Sequence, residues 1–357
     1  MDKTYIMLKD KPVLEIENYT CRVLDYDRLP VSLRYEAVSF DDVMHGWTEN
    51  RTMSIGKTNA KKLLAGFGIR QSNPYLIAKM FHFASLTDCY WMKEEGEEIG
   101  WEDINLFANP LEKTVSASAL LGVNPSFPLA QKIHTPELTA QGMAAKAWIR
   151  EKDGLYLYKI GKKELAASYI LDILGIPHVR YTKADADRLH ELADQRHIDK
   201  IRDQNEEIVR CKIITSEETA ILPWEDFQVY CAYHDLDEFE YVKANDRKAY
   251  CEMQVADYIL GNEDRHGANF GFFMDNGTGA LLHLYPLMDH DHAFSNEQDI
   301  PSQTSEGKET LREAALKARE QVDLHLHPLL HAKKPGELSE EQWNGVLWRA
   351  KDLELSH

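Results

Sequence analysis

Residues 146–177 contain the pattern that most restricts the fold of this chain. Two β-prone runs, KAWI at residues 146–149 and LYLYK at residues 155–159, are separated by EKDG, whose Asp-Gly pair is typical of a hairpin turn. In residues 162–175, apolar side chains recur at spacings of four until the segment ends at a glycine, with Pro177 beyond it. The sequence therefore predicts two antiparallel strands followed by an amphipathic helix.

The rest of the chain adds further strands and helices without an internal repeat. Strand-like runs are predicted at residues 4–19, 178–181 and 208–214, and helices at residues 57–67 and from a cap at Asn245 or Asp246 to Leu260, where Gly261 ends the pattern. Prolines between Pro125 and Pro136 predict a boundary or a change of layer. We expect an α+β protein.

Composition excludes several classes of function. With 357 residues, of which 43% are hydrophobic and 10% aromatic, the chain is expected to be globular. A net charge of −18 argues against an extended nucleic-acid surface, because such surfaces use clustered lysine and arginine. No export signal or membrane-spanning run is recognisable, so we expect a cytoplasmic protein without membrane contact. The five scattered cysteines form no CxxC pair and are expected to be reduced packing residues.

Three polar residues in the stretch 261–292 point to phosphoryl transfer. Asp264 is followed five positions later by Asn269, and Asp289 comes after a predicted hairpin at residues 270–284. Phosphoryl transfer needs a carboxylate near the attacking hydroxyl and oxygen ligands for magnesium, and protein kinases arrange Asp, Asn and Asp in this order. Magnesium prefers carboxylate and amide oxygens, so Asn269 and Asp289 suit it better than zinc.

A kinase also needs a strand lysine that holds nucleotide phosphates and a helix glutamate that holds this lysine. Lys159 and Glu164 are suitably placed, with Lys146 as the natural competitor, and the loop containing Gly142 would lie over the phosphates. Both residues also have an interpretation without a catalytic role. Lys159 could be an outward-facing charge on a strand, and Glu164 could be an acid in the first turn of a helix that only favours the helix dipole.

Histidines in the same stretch suggest a rival enzyme. His290 and Asp291, together with His266 or His283, could form the metal site of a phosphohydrolase. His292 could equally be a polar residue that follows the metal ligand, and Asp291 could replace Asp289 as that ligand. A pseudokinase that only binds a partner is a further alternative, although the intact set of Asp, Asn and Asp argues against it.

The chain resembles the HipA-like serine/threonine kinase family. That family has a catalytic loop of the form DRHxxN, which phosphatidylinositol kinases share, and it is found here at residues 264–269. A metal-binding Asp in a Pro-Leu context recurs at residues 286–289, and the resemblance extends over residues 137–295. Residues 1–130 do not look like the usual N-terminal part of that family, and residues 138–143 hold only one glycine.

The resemblance implies roles for individual residues. Asp264 would be the base, and His266 would shape the catalytic loop. Asn269 and Asp289 would bind Mg²⁺, and Lys159 would hold the phosphates of ATP.

The resemblance also implies a fold and an acceptor. We expect a two-lobed protein-kinase-like α+β fold, with an antiparallel-sheet N-lobe at residues 131–225 and a mainly helical C-lobe at residues 226–357. An N-terminal α/β extension of unknown role would occupy residues 1–130. The expected reaction is ATP- and Mg-dependent transfer to Ser or Thr of a protein substrate. The family further suggests a toxin–antitoxin or stress-regulatory role with an antitoxin-like DNA-binding partner, and no direct nucleic-acid binding.

Overall fold

The computed structural model of the chain describes residues 3–35, 37–69, 73–125 and 133–355. They pack into two compact units. The first unit comprises the chain up to Ile160 together with Lys183–Ile221 and Met274–Leu281, and the second comprises Gly161–Thr182, Leu222–Phe273 and the chain from Leu282 onward. The boundary predicted between Pro125 and Pro136 lies partly outside the described residues, and the three predicted regions stay predictions.

The strands of the described residues form three sheets. The first has the order β3-β2-β1-β4, with β1 at Thr4–Leu8, β2 at Lys11–Glu17, β3 at Thr20–Val23 and β4 at Tyr90–Glu94. The second has the order β5-β6-β8-β7, with β5 at Lys146–Glu151, β6 at Gly154–Ile160, β7 at Tyr181–Lys183 and β8 at Ile208–Lys212. The third has the order β11-β10-β9, with β9 at Thr219–Pro223, β10 at Gly271–Asp275 and β11 at Leu281–Leu284. Antiparallel pairing joins β1 to β2 and β4, β2 to β3, and β6 to β5 and β8.

Helices surround these sheets. In the first unit they are α1 at Ala60–Gly66, α2 at Pro74–Met80, α3 at Trp101–Ile104, α4 at Lys113–Leu121, α6 at Ala186–Leu192 and α7 at Gln195–Arg202, with a π-helix at Asp42–Thr48. In the second unit they are α5 at Lys163–Leu174, α8 at Trp224–Tyr233, α9 at Glu238–Leu260, α10 at Leu311–Arg319, α11 at His327–Leu330 and α12 at Glu340–Leu355. Short 3-10 turns lie at Tyr26–Arg28, Val31–Leu33, Glu49–Arg51 and Pro136–Leu138. The predicted α+β class, with antiparallel sheets and a mainly helical second unit, is confirmed.

One hydrophobic core in the first unit joins the N-terminal region to the β5-β6-β8 sheet. Leu63 of α1 and Leu120 of α4 are buried in the same cluster as Ala147 of β5, Tyr158 of β6 and Ile208 of β8. Burying such apolar side chains together is the main favourable contribution to folding. The N-terminal residues are therefore part of the support of this sheet.

The predicted hairpin and helix are confirmed. Strand β5 pairs with β6 across the Asp-Gly turn, and α5 ends where Gly175 adopts a left-handed conformation with φ 68°. The strands predicted within residues 4–19 and 208–214 and the helix predicted within residues 57–67 are also present.

One predicted helix is confirmed as part of a longer element, and one predicted strand start is wrong. Helix α9 begins at Glu238, capped by Asp237, and consists of two helical segments that meet at Asp246, so the helix predicted from Asn245 or Asp246 to Leu260 is its second segment. Asp246 has φ −149° and ψ 45°, and its carboxylate accepts a hydrogen bond from the backbone N–H of Leu284 at 2.7 Å. The strand predicted at residues 178–181 begins only at Tyr181. His178 lies before it and pairs with Leu287 in an isolated β-bridge.

Within the described part of the chain, no helix combines the length and the apolar character that a membrane crossing requires. The five cysteines form no disulfide, and four of them are buried.

Candidate active site

The end of helix α9 delivers the loop that carries Asp264 and Asn269. Gly261 closes the helix in the left-handed conformation, with φ 57° and ψ 49°. A Cβ at Gly261 would lie 2.5 Å from Nη1 of Arg349, so a glycine is required both by the backbone and by this contact. The backbone N–H of Asn262 then donates to the carbonyl of Asp257 at 2.9 Å, and the chain turns into the loop.

Arg265 is the buried centre of this loop. Its side chain is 1% exposed, and its Nε and Nη2 donate to the carboxylate of Asp257 at 3.1–3.2 Å. Its Nη1 donates to the backbone carbonyls of Asn269, at 3.1 Å, and of Met288. Burial disfavours the charged guanidinium, but the carboxylate of Asp257 outweighs this and raises the pKa of Arg265. One side chain thus ties Asn269 to the segment that ends in Asp289.

Asn269 is fixed in an orientation that suits a metal ligand. Its backbone N–H donates to the carbonyl of His266 at 2.9 Å, and its side-chain Nδ2 donates to the carbonyl of Asp264 at 3.0 Å. These bonds close the loop between the predicted base and the predicted metal ligand. Because Nδ2 is engaged inside the loop, Oδ1 is the atom of Asn269 that a metal would take.

Asp264 is more exposed than Asn269. Its carboxylate is 39% exposed, and Oδ2 lies 3.9 Å from Nε2 of His266 and 4.0 Å from Nε2 of His292. A carboxylate at the surface of a rigid loop can meet an incoming hydroxyl, whereas a buried one cannot. His266 also accepts a hydrogen bond at Nδ1 from the backbone N–H of Ala268 at 3.2 Å, and its role in shaping the loop stays a prediction.

The backbone of Asp289 is strained and held on both sides. Its φ is 60°, in the left-handed region that a non-glycine residue rarely adopts. The carbonyl of the preceding Met288 accepts a bond from Arg265, and the backbone N–H of the following His290 donates to Oε1 of Glu164 at 3.0 Å. Such strain persists only where the surroundings impose it, and residues of this kind cluster at functional sites.

Glu164 is fully buried in the first turn of α5. Besides the backbone bond from His290, its Oε2 lies 3.4 Å from Nδ1 of the His290 ring. Glu164 lies in the first turn of its helix, as the alternative interpretation requires, but its carboxylate is 0% exposed and has specific partners in His290.

Lys159 and Lys146 lie on the second sheet of the first unit. Lys159 is only 5% exposed, so the interpretation of it as an outward-facing, solvated strand charge is wrong. Lys146 on β5 stands directly opposite Lys159 on β6, and directly opposite residues in an antiparallel pair project from the same face. The predicted approach of Lys159 to Glu164 stays a prediction.

Gly142 precedes β5 and has φ 88°, a left-handed conformation that favours glycine. A Cβ at this position would lie 2.5 Å from Nζ of Lys146. The predicted phosphate loop thus comes close to Lys146, which the prediction had treated as a competitor of Lys159.

The histidines proposed for a hydrolase do not gather around one point. His290 faces Glu164, and His283 is exposed and packs against Phe273 with ring centroids 5.4 Å apart. Across the residues described, no group of three or more His, Cys, Asp or Glu side chains is placed to hold a metal ion.

Sequence reasoning missed Arg265 as a structural centre, together with its partner Asp257. Asp257 stands in the apolar run VADYIL at the end of α9. An acid in such a run must be paired when the helix is buried, so this position was the available signal.

No protein-family model and no curated protein matches this chain. Similar solved structures include a Helicobacter pylori proinflammatory kinase, CtkA, with a TM-score of 0.41 and 14% identity over 59% of this chain and 90% of that chain. The Golgi casein kinase is similar with a TM-score of 0.33, at 15% identity over 60% of this chain and 70% of the other in the structure with Mn/ADP bound. A second structure of the Golgi casein kinase has a TM-score of 0.33 and 13% identity over 60% of this chain and 69% of that chain. We therefore base the functional proposal on the contacts of this chain's own residues.

Proposed function

We propose that this protein is a kinase that transfers the γ-phosphoryl group of ATP to a serine or threonine hydroxyl of a protein substrate. The observation that carries this proposal is the double tether of Arg265, which joins the loop of Asp264 and Asn269 to the segment of Asp289. A kinase requires these residues in fixed positions, because catalysis of phosphoryl transfer is mainly positioning and charge stabilisation.

The donor atoms fit magnesium. Asn269 offers an amide oxygen and Asp289 a carboxylate, both hard oxygen ligands, and bound Mg²⁺ would neutralise charge on the nucleotide phosphates. Asp264 orients the acceptor hydroxyl and takes its proton. Lys159 holds the α- and β-phosphates, with Glu164 as its partner on α5.

The protein acceptor and the regulatory role rest on the resemblance to HipA-like kinases. We propose a protein substrate. On the same resemblance, we propose a toxin–antitoxin or stress-regulatory role with an antitoxin-like DNA-binding partner. The DRHxxN loop supports the kinase class but does not distinguish a protein hydroxyl from a lipid hydroxyl, because phosphatidylinositol kinases share it.

Incubation with ATP labelled at the γ-phosphate, with and without magnesium, tests the proposal directly. Transfer of label to the protein itself or to an added protein acceptor, lost in Asp264→Ala, is expected. Mass spectrometry then identifies the modified residue. Magnesium-independent release of inorganic phosphate that survives Asp264→Ala, with no labelled acceptor, would contradict the kinase assignment.

A further inference from the structure

The segment that carries Gly142 is held in place by residues 49–58 of the N-terminal region. The backbone bonds run from the N–H of Met53 to the carbonyl of Leu138, at 3.2 Å, and from the N–H of Thr58 to the carbonyl of Met143, at 2.9 Å. The side chain of Gln141 also donates to the carbonyl of Glu49 at 2.8 Å. Residues 137–143, which contain the predicted phosphate loop at residues 138–143, thus contact a segment that precedes them by about eighty positions in the sequence.

Lys57 lies at the centre of this support. It is 3% exposed, and its ammonium group donates to the backbone carbonyls of Glu137, at 3.3 Å, and Ala140, at 3.2 Å. These carbonyls are three residues apart in the loop, so a single cation fixes the curvature of the backbone between them. A buried ammonium is costly, and an apolar side chain of the same length could fill the space without that cost.

A second positive charge, that of Lys146, lies near Lys57. Burial first, and then the nearby charge of Lys146, lower the pKa of Lys57 to about 7, while Glu137 opposes this shift. The carboxylate of Glu137 accepts hydrogen bonds from the Thr135 hydroxyl, at 2.7 Å, and from the backbone N–H of Trp148, at 2.9 Å. Burial raises the pKa of Glu137. An anion beside Gly142 would relieve the repulsion between the two lysines.

We propose that Lys57 is a positioning residue for the nucleotide, which fixes residues 137–143 in the shape in which the backbone N–H of Gly142 and the ammonium of Lys146 face the phosphate oxygens and can donate hydrogen bonds to them. This inference rests on the proposed kinase function and gives the N-terminal region a task in it. Lys57 acts through the loop, because its own hydrogen bonds go to backbone carbonyls. Lys159 remains the principal phosphate contact of the proposed site, and Lys146, directly opposite it on the neighbouring strand, adds a second positive charge.

The matched pair of variants is Lys57→Met and Lys62→Met. Lys62 lies in the same unit and also donates to a backbone carbonyl, that of Gly122 at 2.6 Å, but it does not contact residues 137–143. Each variant removes one ammonium and keeps an unbranched stem. Calorimetry with magnesium and a non-hydrolysable ATP analogue gives the affinity, and steady-state assays give KM for ATP and kcat.

We expect Lys57→Met to raise KM and Kd for the nucleotide about tenfold, the loss typical of one charge-assisted hydrogen-bonding group, with a smaller effect on kcat. Lys62→Met should leave both constants unchanged. The pH profile separates positioning from bulk stability. As pH rises through about 7, Lys57 loses its proton and its charge, so nucleotide affinity of the wild type should fall more steeply than that of Lys57→Met.

Amide hydrogen exchange, measured without nucleotide, reports on the stability of the loop independently of ATP binding. The amides of residues 137–143 should exchange faster in Lys57→Met than in the wild type, and their exchange rates should be unchanged in Lys62→Met. If Lys57→Met does not fold, Lys57→Gln, which keeps a donor without the charge, takes its place in every assay.

Wild-type protein that binds no nucleotide would overturn the kinase proposal itself. Wild-type protein that binds nucleotide, with affinity, pH profile and loop exchange all unchanged in the Lys57 variant, would overturn only the role of Lys57.

Discussion

Arg265→Met tests whether the buried ion pair with Asp257 organises the site. The substitution leaves the Asp257 carboxylate, 1% exposed, without its guanidinium, and removes the donor from the carbonyls of Asn269 and Met288. Removing one partner of a buried ion pair typically costs about 3–5 kcal/mol. We expect a value toward the upper end, because each buried carbonyl that loses its donor adds about 1–3 kcal/mol.

Urea unfolding measures this loss, with Arg312→Met as the control. Arg312 also pairs with an aspartate, Asp352, at 2.7 Å, but its side chain is 43% exposed. Because the guanidinium of Arg312 is partly solvated, losing it should cost less stability than losing Arg265, so the control should unfold at a urea concentration closer to that of the wild type. A typical protein has only about 5–15 kcal/mol of stability, so Arg265→Met is expected to be marginally folded.

The double variant Arg265→Met with Asp257→Asn separates folding from activity. Removing the orphaned charge should restore a large part of the stability, because a buried pair costs most when only one partner is lost. Phosphoryl transfer should remain absent, because the two hydrogen bonds by which Arg265 joins the carbonyls of Asn269 and Met288 are lost. Recovery of both stability and transfer in the double variant, or wild-type stability of Arg265→Met alone, would refute this reasoning.

Three further predictions concern the residues that contact substrate or metal. Asp264→Ala should keep binding of the magnesium–nucleotide complex, measured by calorimetry, and lose about two to four orders of magnitude in transfer rate; a parallel loss of affinity would make Asp264 a ligand instead. Asp289→Asn should weaken magnesium-dependent nucleotide binding more than Asp291→Asn, and the reverse order would reassign the metal ligand. Lys159→Met should raise KM for ATP more than Lys146→Met does, and the opposite ranking would move the principal phosphate contact to Lys146.

Local patterns in the sequence predicted the elements that carry the site. The Asp-Gly hairpin, the helix that ends at Gly175 and the loop after Gly261 were all found, because turn residues and helix ends depend on neighbours within a few positions. The helical segment of α9 that precedes Asp246 was not predicted. The hydrogen bond from the backbone of Leu284 to the Asp246 carboxylate was not predictable either, because sequence periodicity does not reveal contacts between distant segments.

Contacts between distant segments were not predictable. The bonds from Lys57 to the carbonyls of residues 137 and 140 span about eighty positions and follow no periodicity. The pair of Asp257 and Arg265 is close in sequence, yet its role depends on the additional bond to Met288, which lies beyond a hairpin. The residue types in the sequence indicated the chemistry of the site. The residues that fix its geometry were identified only from their contacts in the folded structure.

The position of Asp289 shows how such contacts specify a site. Its left-handed backbone is held by Arg265, which donates to the carbonyl before it, and by Glu164, which accepts from the amide after it. Glu164 belongs to α5, and Arg265 belongs to the loop after α9. A shift of α5 would therefore act on the peptide that follows Asp289 through the two contacts between Glu164 and His290, one to the backbone and one to the ring. The placement of the residue that would bind magnesium therefore depends on one buried carboxylate of α5.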